Sequence, residues 1–278
     1  MAVEMLAYID RPSPIHRLTG ATKLICFILW STTAMLTYDT RVLLFLFVAS
    51  ITIFIASQVK IREISFVLLF ILAFLLLNNI AIYIFSPQEG VKIYGTSHVL
   101  FEIVGRYNVT WEQLFYQFNI TIKYFTIIPA ALLFIVTTHP SEFAASLNRI
   151  GVSYRISYAV ALALRYIPDI QRDFRNIAIT QQARGIDMSR KEKIGKRIKN
   201  IASIIIPLIL SSLDRIEVIS NAMELRGFGK NKKRSWYSAR PFKRIDYIAL
   251  ILVGSAFVLA MVITYYDGSR FYNPFGAL

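Results

Sequence analysis

Two arginine-glycine pairs are the residues of this chain whose type and placement could do specific chemistry. Each pair ends a long stretch with helical periodicity, where a glycine can cap the helix in the left-handed conformation and an arginine faces the negative end of the helix dipole. The guanidinium group is a planar fork of donors that suits a carboxylate or backbone carbonyls in a groove. Two copies predict two equivalent contacts with two partners. The residues assigned to these contacts are Ala183, Arg184, Gly185, Leu225, Arg226 and Gly227.

Two helices of about 30 residues are predicted to position these pairs. In residues 153–185 apolar side chains recur at three- and four-residue steps, with charged residues on other faces. The second helix runs through residues 201–213 to Leu225, and its apolar run is too short to cross a bilayer. Each helix contains one proline, which lacks an N–H group and crowds the carbonyl four residues earlier. We therefore predict helix hinges at Pro168 and Pro207.

The composition predicts a membrane protein. Of 278 residues 55% are hydrophobic, whereas soluble domains average about 45–50%. A helix needs about 20 apolar residues to cross the hydrocarbon core, with a lower limit of about 17. Three of the apolar runs reach this length and two lie at the limit. The five runs are residues 24–38, 42–57, 64–85, 120–138 and 247–266.

The charges predict the orientation. Residues 139–246 hold 21 Lys/Arg and 9 Asp/Glu, a net charge of +12 out of +14 for the chain. Lys and Arg near the ends of spans stay in the cytoplasm, so this block and the amino terminus are predicted inside and the carboxyl terminus outside. The fold class is thus an all-α integral membrane protein with about five transmembrane helices and two long cytoplasmic helices. The predicted domains are 1–138 (four spans), 139–246 (cytoplasmic) and 247–278 (the last span and an external tail).

Catalytic chemistry is not apparent in the sequence. The segment from Gly227 to Lys230 has the wrong glycine spacing for a phosphate-binding loop, and Asn231 stands where that loop needs Ser or Thr. The three histidines, His16, His98 and His139, have no metal-ligand spacing around them. We therefore expect a protein that is not an enzyme, with no metal site.

Three polar residues within the predicted spans have structural interpretations. Asn78 and Asn79 could line a path or hold a neighbouring helix by hydrogen bonds, and we favour helix packing. Lys123 lies near the outer end of its span and is expected to extend its ammonium group to the interface.

Four segments carry a resemblance to a known family. They are His139-Pro-Ser-Glu-Phe and the residues after it to Val152, then Ala163-Leu-Arg-Tyr-Ile-Pro168, Gln182-Ala-Arg-Gly185 and Ala222-Met-Glu-Leu-Arg-Gly-Phe228. This series resembles the transmembrane T component of energy-coupling factor (ECF) transporters, the family that includes cobalt and nickel transport proteins of the CbiQ type. A weaker match at His16-Arg-Leu departs from the family in having Thr19-Gly-Ala where Asp-Pro-Arg is usual.

The resemblance implies a transport role in a bacterial cell membrane. A T component joins two ATP-binding-cassette (ABC) ATPases to a small membrane S component that binds a vitamin or metal ion. Arg184 and Arg226 would each dock in a groove of one ATPase, and ATP and Mg²⁺ would be bound there, with no cofactor in this chain. Closure of the ATPases would move the two helices and pass the motion to the S component. Contact with the S component is assigned to Ile204, Ile205, Leu208 and Leu210.

Two other functions remain open on the sequence. In a conventional ABC importer the permease forms the pore itself. Residues 142–145 with Gly151 and Ile167-Pro168 loosely resemble its coupling loop, although the spacing differs and that loop would occur once. A membrane-anchored protein could instead bind nucleic acid or anionic lipid through the basic runs 190–199 and 230–234. The motif series favours the ECF coupling subunit, with the lipid bilayer and no nucleic acid among its partners.

Overall fold

The chain folds as a helical membrane protein with a short antiparallel pair of strands. A computed structural model describes residues 11–102, 107–186, 194–231, 235–266 and 268–276, and the basic runs 190–199 and 230–234 lie partly outside them. Two compact units are present, one formed by Met1–His139 with Arg240–Leu278 and the other by Pro140–Ala239.

The first unit is the membrane unit. Helices α2, α3, α6 and α10 pack together, and α4 lies against α6. A threonine or aspartate at the amino end of α2, α3 and α6 accepts a hydrogen bond from the first turn, as helix caps do. The elements are α1 (Pro14–Arg17), α2 (Gly20–Leu36), α3 (Thr40–Ala56), α4 (Ile61–Phe85), α5 (Glu89–Tyr94), β1 (Val99–Phe101), β2 (Val109–Thr110), α6 (Trp111–Thr137) and α10 (Arg244–Tyr266).

The five predicted apolar runs coincide with the five main helices of this unit. Among the described residues three helices are long and apolar enough to cross a bilayer, namely Ile64–Phe85, Trp111–Thr137 and Arg244–Tyr266. The other two, α2 and α3, are apolar helices of 17 residues each. At a rise of 1.5 Å per residue, 17 residues extend about 26 Å, so their crossing stays a prediction.

Buried apolar residues hold the membrane unit together around α6. Most large side chains of α4 are exposed, as expected for a helix that faces hydrocarbon. One buried cluster joins α2, α3 and α10, through Trp30, Ala34, Val42, Leu46 and Ala260. A second joins the end of α3, the start of α4 and α6, through Val59, Ile64, Leu132, Leu133 and Val136.

Helix α6 begins nine residues before the predicted start of its span. Its first turns are polar yet fully buried at Glu112, Gln113 and Asn119, which a hydropathy pattern excludes from a span. The Glu112 carboxylate accepts a hydrogen bond from Thr96 Oγ1 at 2.9 Å and lies 2.6 Å from His98 Nδ1. These long-range contacts bury the polar groups and extend the helix.

The polar residues of the spans lie in two different environments. Asn79 Nδ2 lies 3.2 Å from Thr121 Oγ1 of α6, which confirms the packing interpretation for this residue. Lys123 is buried, so the expectation of an interfacial anchor was wrong. Its Nζ donates to the Met35 carbonyl at 3.1 Å and lies 3.0 Å from the centroid of the Tyr38 ring. An aromatic face stabilises this cation in place of water.

The second unit contains α7 (Pro140–Arg149), α8 (Tyr154–Ala183) and α9 (Ile194–Leu225). Helix α7 packs on α8, and α8 packs on α9. This unit ends before the predicted domain limit at residue 246. Residues 240–246 belong to the membrane unit, where the buried Asp246 accepts hydrogen bonds from the backbone N–H groups of Thr19 and Lys243, each at 2.8 Å.

Candidate docking site on the helical hairpin

Helices α8 and α9 form an antiparallel hairpin, which places the two Arg-Gly pairs at opposite ends. Near one end Gln181 Nε2 donates to the Ser203 carbonyl at 3.3 Å. Near the other, the rings of Tyr158 and Phe228 pack with centroids 4.9 Å apart. From Ser203 the helix continues to Leu225, which extends about 33 Å at 1.5 Å per residue. The two arginines therefore lie roughly that far apart.

The two helix ends have the same backbone geometry. At the end of α8, Gly185 N–H donates to the Gln182 carbonyl at 2.9 Å and Ile186 N–H to the Gln181 carbonyl at 3.1 Å. At the end of α9, Gly227 N–H donates to the Glu224 carbonyl at 2.8 Å and Phe228 N–H to the Met223 carbonyl at 2.9 Å. This pair of bonds is the Schellman motif. The glycines have φ of +84° and +66°, a region that favours glycine.

The Schellman motif sets where the arginines lie. Arg184 and Arg226 are the last residues before the left-handed glycines, and both side chains are exposed. Ala183 is exposed as well, and Leu225 exposes 89% of its surface. Each end therefore presents a cation beside an apolar residue, a combination that suits a groove with carbonyl or carboxylate acceptors.

The Arg226 end is braced by aromatic residues that the sequence analysis missed. Phe228 packs against Tyr154 and Tyr158, and Tyr158 in turn lies against Trp236. Arg155 Nη2 also donates to the Gly229 carbonyl at 3.1 Å. The four aromatic residues are separated by up to 82 positions. The one local sign of the cluster in the sequence was that Tyr154 and Tyr158 lie about one helical turn apart.

The two prolines lie inside continuous helices. Pro207 of α9 is four residues after Ser203, so the Ser203 carbonyl loses its helical N–H donor. The side chain of Gln181 supplies the missing donor from α8. Pro168 of α8 is exposed. The hinge role of both prolines stays a prediction.

The residues assigned to the S component have different environments. Ile204 has 0% of its surface exposed, so it packs inside the protein and cannot itself face a partner in this conformation. Leu208 is half-buried, while Ile205 and Leu210 are exposed. They belong to an apolar surface of α9 that also includes Ile206, Ile209, Leu213 and Ile216. Such a patch on a polypeptide surface marks an interaction site with protein or lipid.

Comparisons with known proteins agree with this architecture. The family profile of CbiQ, cobalt transport protein, matches residues 11–236. The energy-coupling factor transporter transmembrane protein EcfT of Staphylococcus aureus is 24% identical over 268 residues, covering 93% of this chain and 96% of that protein. EcfT of Streptococcus equi is 27% identical over 88% of this chain and 91% of its own length.

A third relative, EcfT of Leuconostoc gelidum, is 29% identical over 174 residues, covering 59% of this chain and 65% of that protein. The family match includes both Arg-Gly pairs and the whole hairpin. The chain therefore belongs to the CbiQ/EcfT family and is the transmembrane component of an energy-coupling factor transporter.

Proposed function

We propose that this chain couples two ABC ATPases to a small substrate-binding S component, for uptake of a vitamin or a metal ion across the bacterial cell membrane. The observation that carries the proposal is the pair of Schellman ends, which have one geometry and lie at opposite ends of the hairpin. Equivalent ends suit equivalent partners. ATP and Mg²⁺ are bound by those partners.

The separation of the ends favours two ATPase subunits over one. A distance of about 33 Å is comparable to the diameter of a small domain, so one groove cannot receive both arginines. Each arginine enters a groove of its own subunit, where acceptors satisfy the guanidinium fork. When the ATPases close on ATP, the two ends of the hairpin move relative to each other.

The apolar surface of α9 is the element that receives this motion. Leu210 exposes 56% of its surface, and its apolar neighbours extend the patch over more than two helical turns. An S component that binds here would be displaced when the hairpin moves. The hairpin lies on the cytoplasmic side, because Lys and Arg flank the adjoining membrane helices at Arg149, Arg155, Arg240, Lys243 and Arg244.

Charge reversal at the arginines tests the proposal. The tagged protein is expressed with its natural partners, and the subunits retained in mild detergent are counted by native mass spectrometry. Arg184→Glu and Arg226→Glu should each release one ATPase, and the double variant should release both. Arg175→Glu is the matched control, since this exposed arginine lies on α8 away from either end, and it should retain both ATPases.

The result that would contradict the proposal is retention of two ATPases and unchanged uptake in the double variant. A separate variant, Leu210→Gln, should weaken retention of the S component and leave the ATPases bound. Loss of the ATPases alone from this variant would place their docking surface on the apolar surface of α9 instead of at the two Arg-Gly ends.

A further inference from the structure

An apolar cavity lies within the membrane unit, between α2, α3, α6 and α10. Its volume is about 390 Å³, within the size range of small-molecule sites. The side walls are formed by hydrocarbon and aromatic groups, among them Phe27 of α2, Ala130 of α6 and Ala256 of α10. One end is lined by Ile15, Leu18 and Lys23. The proposed coupling function does not use this cavity.

An apolar cavity of this kind does not hold water, which needs two to four polar partners. If the cavity were empty, the side chains that line it would lose dispersion contacts. The cavity lies in the membrane unit, where the abundant apolar molecule is the lipid itself. An acyl chain supplies the missing contacts without bringing polar groups to the walls.

Exposed cations surround the end of the cavity that Ile15 and Leu18 line. Arg17 lies between these two residues in sequence and is exposed. Lys243 and Arg244 are exposed at the start of α10. Asp246, one turn further on, ties this start to α2 by accepting the Thr19 N–H at 2.8 Å. The three cations therefore lie at the same membrane face as this end of the cavity.

We propose that the cavity binds an anionic phospholipid. One acyl chain fills the cavity, and the phosphate lies against Arg17, Lys243 and Arg244 at its end. Cations at a membrane face attract anionic headgroups, which favours phosphatidylglycerol over a zwitterionic lipid. The remainder of the lipid stays in the surrounding leaflet.

Native mass spectrometry of the full chain tests this site. The protein is purified in a neutral detergent and mixed with equal amounts of phosphatidylglycerol and phosphatidylethanolamine that have identical chains. The wild type should retain one phosphatidylglycerol. Ala130→Phe fills the cavity and should abolish retention. Ala131→Phe is the matched control, because this half-buried alanine is the next residue on α6 and is not part of the lining.

Charge removal tests the headgroup contact separately. The variant Arg17→Gln/Lys243→Gln/Arg244→Gln should lose its preference for phosphatidylglycerol, by about fivefold for each cation removed, and still retain a lipid. Ala256→Phe is a second variant that fills the cavity, from α10. Thermal unfolding of Ala130→Phe and Ala256→Phe shows whether each variant is folded. Equal retention by the folded filling variants and the Ala131→Phe control would overturn the proposal. So would a wild type that retains no lipid or does not distinguish the two headgroups.

Discussion

Asp173 of α8 and Arg215 of α9 form an ion pair across the hairpin, with Arg215 Nη2 2.7 Å from Asp173 Oδ2. The two side chains expose 29% and 37% of their surface, so solvent screens the pair and its contribution to stability is about 0.5 kcal/mol. The pair connects the middle of the hairpin, between the Gln181–Ser203 bond and the aromatic brace. It therefore adds little to the stability of the fold, and its position marks the register in which the two helices lie against each other.

The first prediction concerns this register. Asp173→Arg places like charges across the hairpin and should reduce ATP-driven substrate uptake in the complete transporter, while the swap Asp173→Arg/Arg215→Asp should restore most of it. Uptake per ATP hydrolysed by reconstituted complexes measures the effect. Asp169→Arg is the control, since Asp169 pairs within α8, with Arg172 at 3.7 Å. A swap no better than the single variant would show that this pair does not set the register.

The second prediction concerns the left-handed glycines. Gly185→Ala and Gly227→Ala each force an L side chain into positive φ, at a cost of about 1–2 kcal/mol. Neither added methyl group meets a severe steric clash, so the cost arises in the backbone. Both variants should lower the unfolding temperature of the purified protein. Gly195→Ala is the control, because this glycine lies within α9 and nothing is within 4 Å of the added carbon. It should be neutral or stabilising. An equal fall in unfolding temperature at all three positions would contradict this explanation.

The third prediction concerns the close approach of α5 to α6. A Cβ at Gly90 would overlap the Glu112 carbonyl and lie 2.6 Å from Gln113 N, both of them backbone atoms. Since neither can move without displacing a helix, Gly90→Ala should cost about 3 kcal/mol or more. Limited proteolysis should then cut the segment between α5 and α6. At Gly254 an added Cβ meets nothing within 4 Å, so Gly254→Ala is expected to resist proteolysis as the wild type does. Cleavage of both variants would argue against a local clash at Gly90.

The fourth prediction concerns the buried cation. Among the described residues no carboxylate lies within ion-pair distance of Lys123, which contacts the Tyr38 ring and the Met35 carbonyl. Lys123→Met replaces a desolvated cation by an uncharged side chain of similar size, so the change in stability should be small or favourable. Tyr38→Leu in the wild type strands the cation and should cost about 2 kcal/mol beyond the loss of the ring. Thermal unfolding of both variants and the double variant separates these terms, and additive effects would exclude coupling between Lys123 and Tyr38.

The two helices of the hairpin show which structural features local sequence patterns can predict. Helices of 30 and 32 residues and the Arg-Gly ends could be predicted, because periodicity and capping depend on residues within about one turn of each other. The apolar runs of the membrane unit were visible for the same reason. The opposite placement of the two ends also follows from two helices joined by a short connection.

Burial could not be predicted in the same way. Lys123 seemed free to reach the interface because its neighbours in sequence did not include the Tyr38 ring that covers it. Ile204 seemed available to a partner because its apolar run looked uniform, yet this one position is fully buried while Ile205 is exposed. The polar start of α6 was excluded from the predicted span because Thr96 and His98, which satisfy Glu112, lie 16 and 14 residues away in sequence.

The sequence alone indicated where the long helices lie, which of them are apolar enough for a bilayer, and where the Arg-Gly ends occur. These properties depend on hydrogen bonds and side-chain spacing within a few residues. The tertiary structure decided which faces are covered, how Ser203 finds a donor opposite Pro207, and where an apolar cavity remains. Those outcomes depend on atoms that are distant in sequence and meet only when the helices pack.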